Sequence, residues 1–159
     1  MLAATSILGG GISSRLFQNL REDKGLVYSV GAISQAYSEA GILNIYAGTG
    51  DNEINEAMDC IKSEVEDIGK NGVTPEELAR VKEQLKGNFM LGIESTTARM
   101  TLMGKNRLLK GYVEEQDEVL AKIDAITLMD VKDTVKDIMD WDKAAISILT
   151  SENGEADAG

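Results

Sequence analysis

The sequence has no histidine among its 159 residues, and this absence excludes the most common hydrolytic sites. Serine and cysteine nucleophiles usually need an imidazole base, and ordinary zinc sites use mainly histidine and cysteine ligands. The single cysteine, Cys60, can form neither an internal disulfide bond nor such a zinc site. Carboxylates alone can hold calcium or magnesium, but the sequence has no Asp-x-Asp-x-Asp-Gly loop. We therefore predict that this chain binds no metal or other cofactor and is not a hydrolase by itself.

Basic residues and long apolar runs are also scarce. Sixteen lysines and arginines against 27 acidic residues give a net charge of −11. This charge weighs against binding to nucleic acid or to an anionic membrane, because both present negative groups. No apolar run approaches the roughly 20 residues that span a bilayer, and the first residues lack the basic segment of a signal peptide. With one unpaired cysteine, a reducing compartment is expected.

Along the chain, the hydrophobic residues follow the spacing of a helix in some segments and the strict alternation of a strand in others. Residues 26–37 and 42–49 alternate as two strands, and residues 38–41 are typical of a hairpin turn. Helices are predicted over residues 2–8, 13–24, 51–70, 74–95, 97–110, 115–124 and 128–138, and a last strand over residues 144–149. This order predicts an α+β fold in which an antiparallel sheet packs with helices in two layers. Residues 1–150 are interpreted as one domain and residues 151–159 as a disordered acidic tail.

The start of the chain suggests that part of this domain lies upstream. A three-stranded sheet is small for so many helices, and the helix that begins near Leu2 has no capping residue before it. We therefore expect that the first strands of the domain precede Met1, so that residues 1–150 are a domain truncated at its N-terminus. An uncovered sheet edge invites pairing with other chains, so self-association of the isolated chain is predicted.

Three consecutive glycines, Gly9, Gly10 and Gly11, separate the first two helical patterns. A glycine-rich loop before a helix can cradle an anion, but the Walker lysine and the dinucleotide-binding spacing are both absent here. We favour the interpretation that the glycines allow tight packing. An anion- or nucleotide-binding module is kept as a weaker hypothesis.

The sulfur-containing residues are interpreted as packing residues. Cys60 lies beside the apolar stripe of the helix predicted over residues 51–70 and is expected to be a small buried hydrophobe. A reactive thiol needs an electropositive setting, which this acidic helix does not offer. The seven methionines occur mostly at helical core spacings and are predicted to pack in the interior.

Arg21 and Tyr28 flank a predicted tight turn at residues 23–25, where Gly25 is expected to end the helix before the first strand. Because this turn folds the strand back beside the helix end, two long donor side chains can converge on one point. A guanidinium and a phenol can hold a peptide carbonyl or stabilise an oxyanion. From these residues alone, a solvated charged turn and an ordinary strand aromatic are the simpler interpretation.

A longer segment changes this interpretation. Residues 8–30 read Leu-Gly-Gly-Gly-Ile-Ser-Ser-Arg-Leu-Phe-Gln-Asn-Leu-Arg-Glu-Asp-Lys-Gly-Leu-Val-Tyr-Ser-Val. The segment closely resembles the C-terminal, non-zinc domain of pitrilysin/insulinase-family zinc peptidases, in the branch of mitochondrial processing peptidase and bacterial processing proteases. Residues 72–78 and the Lys86-Gly87 helix resemble the family less sharply, and the resemblance covers nearly the whole chain except the acidic tail.

The resemblance implies a metallohydrolase-like α+β domain, a partner and a role for two residues. Family members pair two homologous domains, of which the other carries zinc in a His-x-x-Glu-His motif with a distal glutamate. Arg21 and Tyr28 match the arginine and tyrosine with which the non-zinc domain holds the peptide substrate and stabilises the tetrahedral intermediate. The implied substrates are extended peptides or presequences. The alternative is a non-catalytic structural subunit, as in respiratory-complex core proteins of this fold. The bacterial cytoplasm is the expected location, with the mitochondrial matrix as the alternative.

Overall fold

The computed structural model describes residues 1–37 and 39–151. Ser38, in the predicted hairpin turn, and residues 152–159, in the predicted acidic tail, lie outside the described residues. In chain order the elements are α1 (Leu2–Gly9), a π-helix (Phe17–Asp23), β1 (Val27–Ala36), β2 (Gly41–Thr49), a 3-10 turn (Asp51–Glu53), α2 (Ile54–Asn71), α3 (Pro75–Gly92), α4 (Thr96–Lys110), α5 (Gln116–Ala125), α6 (Leu128–Ile138) and a second 3-10 turn (Trp141–Lys143). The described residues form two compact units, residues 1–73 with 129–151, and residues 74–128. The predicted α+β class is confirmed.

β1 and β2 form an antiparallel hairpin, as the alternating pattern predicted. Their register is regular except near the start of β1. There Val27 lies opposite Thr49 and Ser29 lies opposite Gly48, so Tyr28 is an extra residue on β1. An extra residue of this kind is a β-bulge, which bends the strand locally and changes the direction of its side chains.

The core of the first unit is formed by the hairpin, α1 and the apolar face of α2. That face was expected from the helical period of its sequence, and it buries Ala57, Cys60, Ile61, Val65 and Ile68. The largest fully buried side chains of the unit are Leu8, Leu16, Leu20, Ile68 and Val135. Burying one such side chain stabilises a fold by about 1.5–3 kcal/mol, so this cluster anchors the segment between α1 and β1.

The helix ends lie close to the predicted bounds, and each carries a local signal. Gly25 (φ 65°) follows the π-helix and Gly72 (φ 76°) follows α2, and both adopt backbone conformations that favour glycine. α3 begins with a capping box, in which the Thr74 side chain accepts from the Glu77 amide and the Glu77 side chain accepts from the Thr74 amide. These local signals place the helix ends close to the predicted positions.

The second unit contains α3, α4 and α5. α3 buries Leu78, Val81 and Leu85, and Lys86 of α3 donates to the carboxylate of Asp124 on α5 at 2.9 Å. Among the residues of α4, the buried one is Asn106. Within the described residues, no helix of the protein has both the length and the apolar character needed to cross a bilayer.

The prediction that the methionines are mostly core residues is wrong. Met139 is buried, whereas Met90, Met100, Met103 and Met129 are exposed. Helical spacing shows which residues share a face of a helix. It does not show whether another element covers that face.

The predicted last strand is also wrong. Residues 144–149 belong to no strand, so the sheet of the described residues has two strands instead of three. A strand requires a neighbouring strand to accept and donate its backbone hydrogen bonds. Residues 144–149 and β2 line the same groove, and this groove separates the segment from the edge of β2.

Candidate functional site

The π-helix and the turn before it are held against α2 by side-chain hydrogen bonds. Arg15 donates to the Asp67 carboxylate at 2.8 Å and to the carbonyl oxygen of Gly72 at 3.0 Å. One turn later, Asn19 donates to the Glu64 carboxylate at 2.6 Å. Each contact is partly exposed and contributes little stability alone. Together they fix the orientation of the segment.

Arg21 lies in the last turn of this π-helix, and its side chain is exposed. The guanidinium carbon lies 5.0 Å from the centroid of the Phe17 ring, in a cation–π contact. No hydrogen bond or ion pair of the described residues engages Arg21, so its five N–H donors are available to a ligand. π-Helical turns are rare and are frequently found at functional sites.

Tyr28 occupies the β-bulge at the start of β1. Its side chain is 80% exposed, which is unusual for a large aromatic residue in a strand. Among the described residues the Tyr28 hydroxyl has no hydrogen-bond partner. The bulge therefore displays an unpaired phenol at the surface.

Arg21 and Tyr28 flank one junction between helix and strand. The Leu26 amide donates to the carbonyl of Leu20 at 2.8 Å, and Gly25 makes the tight reversal between them. The structure thus brings both predicted residues to the same junction, although no hydrogen bond of the described residues joins them. Their role in holding a substrate stays a prediction.

Arg21 and Tyr28 could be identified from the sequence, whereas the π-helix and the β-bulge on which they lie could not. The π-helix and the bulge leave no simple local signal, because both arise when a segment is fitted against its neighbours. Phe17 was also missed as a contact of Arg21. Its position four residues before Arg21 is the spacing at which helical side chains meet, and that spacing could have indicated the contact.

Cys60 is buried, as predicted, but the prediction that it lacks an electropositive neighbour is wrong. The ammonium nitrogen of Lys24 lies 2.8 Å from the Cys60 sulfur. The hydrogen bond to Cys60 is the main cause that raises the pKa of Lys24 above its ordinary value. The positive charge comes from the turn after the π-helix, and so it could not be seen in the sequence of α2.

The glycine segment serves packing. A Cβ atom added at Gly9 would lie only 2.4 Å from the amide nitrogen of Ala32, so α1 meets β1 backbone to backbone. In the following loop the Ser14 hydroxyl donates to the carbonyl of Gly11 at 2.6 Å and does not cap the next helix as an acceptor. The interpretation that the glycines allow tight packing is confirmed for Gly9 and Gly10, where an added Cβ would lie within 3 Å of other atoms.

The donor set of the chain does not fit a zinc ion. Across residues 1–37 and 39–151, no three cysteine, aspartate or glutamate side chains are grouped so that they could hold a metal. The one thiol is buried against Lys24. We therefore assign no chemical step through a metal to the side chains of residues 1–37 and 39–151.

Comparison with known sequences identifies the family. The sequence profile of the peptidase M16 inactive domain matches residues 1–85, more than half of the chain. The chain belongs to the peptidase M16 inactive-domain family. This M16 domain is 39% identical over 153 residues to YmxG of Bacillus subtilis (strain 168), named an uncharacterized zinc protease. The match covers 96% of this chain and 37% of that protein, so the M16 domain spans little more than a third of the relative.

Solved structures share the fold of the M16 domain. A peptidase M16 inactive domain from Pseudomonas fluorescens matches with a TM-score of 0.75 at 22% identity, over 86% of this chain and 33% of that one. A chain of complex III2 from Candida albicans matches with a TM-score of 0.74 at 23% identity, over 86% and 34%. The predicted membership of a zinc-peptidase family through its non-zinc domain is confirmed, whereas the processing-peptidase branch stays a prediction.

Proposed function

We propose that this M16 domain is the substrate-binding, non-zinc half of a zinc metalloendopeptidase that cleaves peptides or presequences. Arg21 and Tyr28 hold the substrate backbone and stabilise the tetrahedral intermediate. The zinc site belongs to another domain or subunit. One observation carries the proposal: two exposed donors without hydrogen-bond partners among the described residues flank one junction, and each sits at a backbone irregularity.

The chemistry of the two side chains suits this role. The guanidinium of Arg21 offers a planar fork of N–H donors to a carbonyl or an oxyanion. The phenol of Tyr28 adds a single O–H donor. Donors that are oriented before the substrate arrives stabilise the charge that develops in the transition state. The M16 domain would thus contribute orientation and electrostatic stabilisation, while the nucleophile is activated elsewhere.

The zinc-bearing half is supported by the relatives. The Bacillus subtilis relative is named a zinc protease, and this M16 domain spans 37% of its length. Because the donor set of the domain itself does not fit zinc, the ligands would come from the rest of a longer protein or from a homologous subunit. Either source supplies a second half that faces the substrate together with Arg21 and Tyr28.

The isolated chain is expected to show no zinc-dependent peptide hydrolysis, whereas the native protein that contains it hydrolyses peptides until a chelator removes the metal. An antibody raised to this chain allows the native protein to be isolated from source cells. Its mass, compared with 17.1 kDa, tells whether the zinc half is in the same chain or in a partner. Turnover of a quenched fluorescent peptide by the isolated chain with added zinc would contradict the proposal.

Phe17 is expected to act as a positioning residue for Arg21. In the native enzyme, Phe17→Leu should lower kcat/KM about two- to fivefold, the effect of losing an exposed cation–π contact. Phe17→Trp keeps an aromatic face for the guanidinium and should retain activity. The thermal midpoints of both variants serve as the control for packing. Equal losses of kcat/KM in the Leu and Trp variants would show that Phe17 acts only through packing.

A second candidate function is a non-catalytic structural subunit of the same fold. The likeness to a chain of complex III2 from Candida albicans supports it. Arg21 and Tyr28 favour the peptidase half. Both are exposed donors without protein partners among the described residues, and a purely structural subunit does not require two such donors at one junction. Isolation of the native protein without any zinc-bearing half would favour the structural subunit.

We also propose that the protein works in the bacterial cytoplasm and binds neither nucleic acid nor membranes. The net charge of −11 supports the absence of nucleic-acid and membrane binding, and the single cysteine supports a reducing compartment. The bacterial relative supports it as well. The mitochondrial matrix is the alternative location.

A further inference from the structure

The helix α4 of the second unit differs in charge from the rest of the protein. Its sequence, Thr-Thr-Ala-Arg-Met-Thr-Leu-Met-Gly-Lys-Asn-Arg-Leu-Leu-Lys, has four basic residues and no acidic one. The whole chain has 16 basic and 27 acidic residues. α4 is therefore a basic helix in an acidic protein.

One face of α4 carries apolar side chains that are exposed. Five residues recur at spacings of three and four and so share this face, which we call the exposed stripe: Met100, Met103, Gly104, Arg107 and Leu108. Met100 is 67% exposed and Leu108 is 86% exposed. On the opposite face Ala98 and Leu102 are half-buried and Asn106 is buried. An amphipathic helix normally buries its apolar side, whereas α4 leaves long apolar side chains on its outer side.

Unpaired cations flank the exposed stripe on both sides. Arg99 lies four residues before Met103, and Lys105 lies three residues before Leu108. Among the described residues, neither cation takes part in a hydrogen bond or ion pair. Charges beside an apolar seam between helices select a partner with opposite charges at the matching positions. The surface therefore fits a helix with acidic flanks.

A second copy of this chain does not offer such a helix among its described residues. Two α4 helices in contact would bring like charges together, which is destabilising. The acidic helix α2 buries its apolar face in the core of the first unit. In α5, which is also acidic, Val119, Leu120 and Ile123 are partly buried. The partner helix must therefore belong to a different protein.

A lipid surface is the other class of partner that a basic helix with exposed apolar residues can bind. Two residues of the exposed stripe favour a helix instead. Arg107 puts a charge within the stripe, and Gly104 has no side chain to insert among lipids. A Cβ added at Gly104 meets no atom within 4 Å, so the backbone of another helix has room to approach closely. The net charge of −11 also opposes binding to anionic lipids.

We propose that the exposed stripe of α4 is a docking surface for an amphipathic helix of a partner protein, with apolar residues along one face and glutamate or aspartate on both flanks. The apolar residues of the partner pack on Met100, Met103 and Leu108, because flexible methionine side chains adapt to the shape of a partner. Its acidic residues pair with Arg99 and Lys105. This surface belongs to the second unit and is separate from the residues proposed to hold a peptide substrate, Arg21 and Tyr28.

Two synthetic helical peptides test the charge preference. Both have three heptads, about 21 residues, with leucine at two positions of each heptad. One has glutamate at the flanking positions and the other has lysine. In titration calorimetry, the glutamate peptide should bind this chain at least about tenfold more tightly than the lysine peptide. High salt should reduce the difference, because it screens exposed charges.

A charge-reversed variant is the matched control. Arg99→Glu combined with Lys105→Glu should bind the lysine peptide more tightly than the glutamate peptide. Both side chains are exposed, so the thermal midpoint is expected to stay near that of the parent. If this variant does not fold, the following measurement on the parent chain decides.

Oxidation of methionines by dilute hydrogen peroxide locates the bound peptide. With saturating glutamate peptide, conversion of Met100 and Met103 to the sulfoxide should slow at least about fivefold, because the peptide covers both sulfur atoms. Met129 lies on α6 and is 62% exposed, and it should keep its rate. Mass spectrometry of proteolytic fragments measures each methionine separately.

Several outcomes would overturn the proposal. Equal affinity for the two peptides, or absence of binding, would show that the flanking cations select no acidic helix. Slowing at Met129 as large as at Met100 would mean that the peptide binds without a defined site. Protection by phosphatidylglycerol vesicles and not by the glutamate peptide would indicate a lipid surface. If Met100 and Met103 are already protected in the purified native protein without peptide, that protein covers the stripe itself.

Discussion

Replacing Gly9 with alanine is expected to lower the free energy of unfolding by about 3 kcal/mol, through overpacking at the contact between α1 and β1. The new Cβ would lie 2.4 Å from the backbone nitrogen of Ala32 and 2.7 Å from its Cβ. A backbone atom cannot rotate away as the end of a flexible side chain can, so α1 or β1 must shift. In thermal unfolding followed by circular dichroism, the midpoint should fall by roughly 10 °C.

A matched control for this substitution lies in the same unit. Gly69 lies in the last turn of α2, and a Cβ added there meets no atom within 4 Å. Gly69→Ala should therefore leave the unfolding free energy unchanged or raise it by at most about 0.5–1 kcal/mol, the gain in helix propensity at an interior position. Adding Ala32→Gly to Gly9→Ala should restore only part of the lost stability, because the contact with the backbone nitrogen persists. If the Gly9→Ala protein is as stable as the parent, the backbones of α1 and β1 are not in tight contact at Gly9.

Substitution at Arg21 and Tyr28 should strongly reduce turnover by the native enzyme that contains this chain. Arg21→Ala is expected to lower kcat by about 10²- to 10³-fold, the typical effect of removing one oxyanion donor. Tyr28→Phe removes a single hydroxyl and should lower kcat by about 10²-fold on the same ground. KM should change less than kcat, because the contacts are strongest in the transition state. Steady-state kinetics with a fluorogenic peptide measure both constants.

Two controls separate the proposed role from general damage. Zinc content should stay unchanged in both variants, since neither residue is proposed to contact the metal. Tyr37→Phe is the matched substitution, because Tyr37 is another exposed tyrosine, just after the far end of β1. Its hydroxyl donates to Gln35 at 3.1 Å. It should leave kcat at the parental value. If the Arg21→Ala and Tyr28→Phe variants keep the kcat of the parent enzyme, the two residues do not hold the substrate or stabilise the intermediate.

The Arg21→Ala, Tyr28→Phe double variant distinguishes joint from separate action. If both donors stabilise the same intermediate, their effects are coupled and the double variant loses less than the product of the two single losses. Multiplicative losses would mean that the two side chains act on different parts of the substrate.

Much of the local structure could be predicted from the sequence, because the physical causes lie within a few residues. Gly25 and Gly72 end helices through their own backbone freedom, and Thr74 caps α3 with a partner three residues away. The apolar stripe of α2 follows from its helical period. The segment at residues 8–30 likewise identified Arg21 and Tyr28 as candidates, because it is contiguous.

The tertiary structure alone decided the features that depend on distant residues. Whether residues 144–149 become a strand depends on a neighbouring strand and not on their own alternation. Lys24 reaches Cys60 from another element, and the exposed methionines lie on helix faces whose exposure no periodicity reveals. The π-helix under Arg21 and the bulge at Tyr28 arise where a short connection must fit between packed elements. A sequence specifies which groups need partners, and only the fold determines which of them find one.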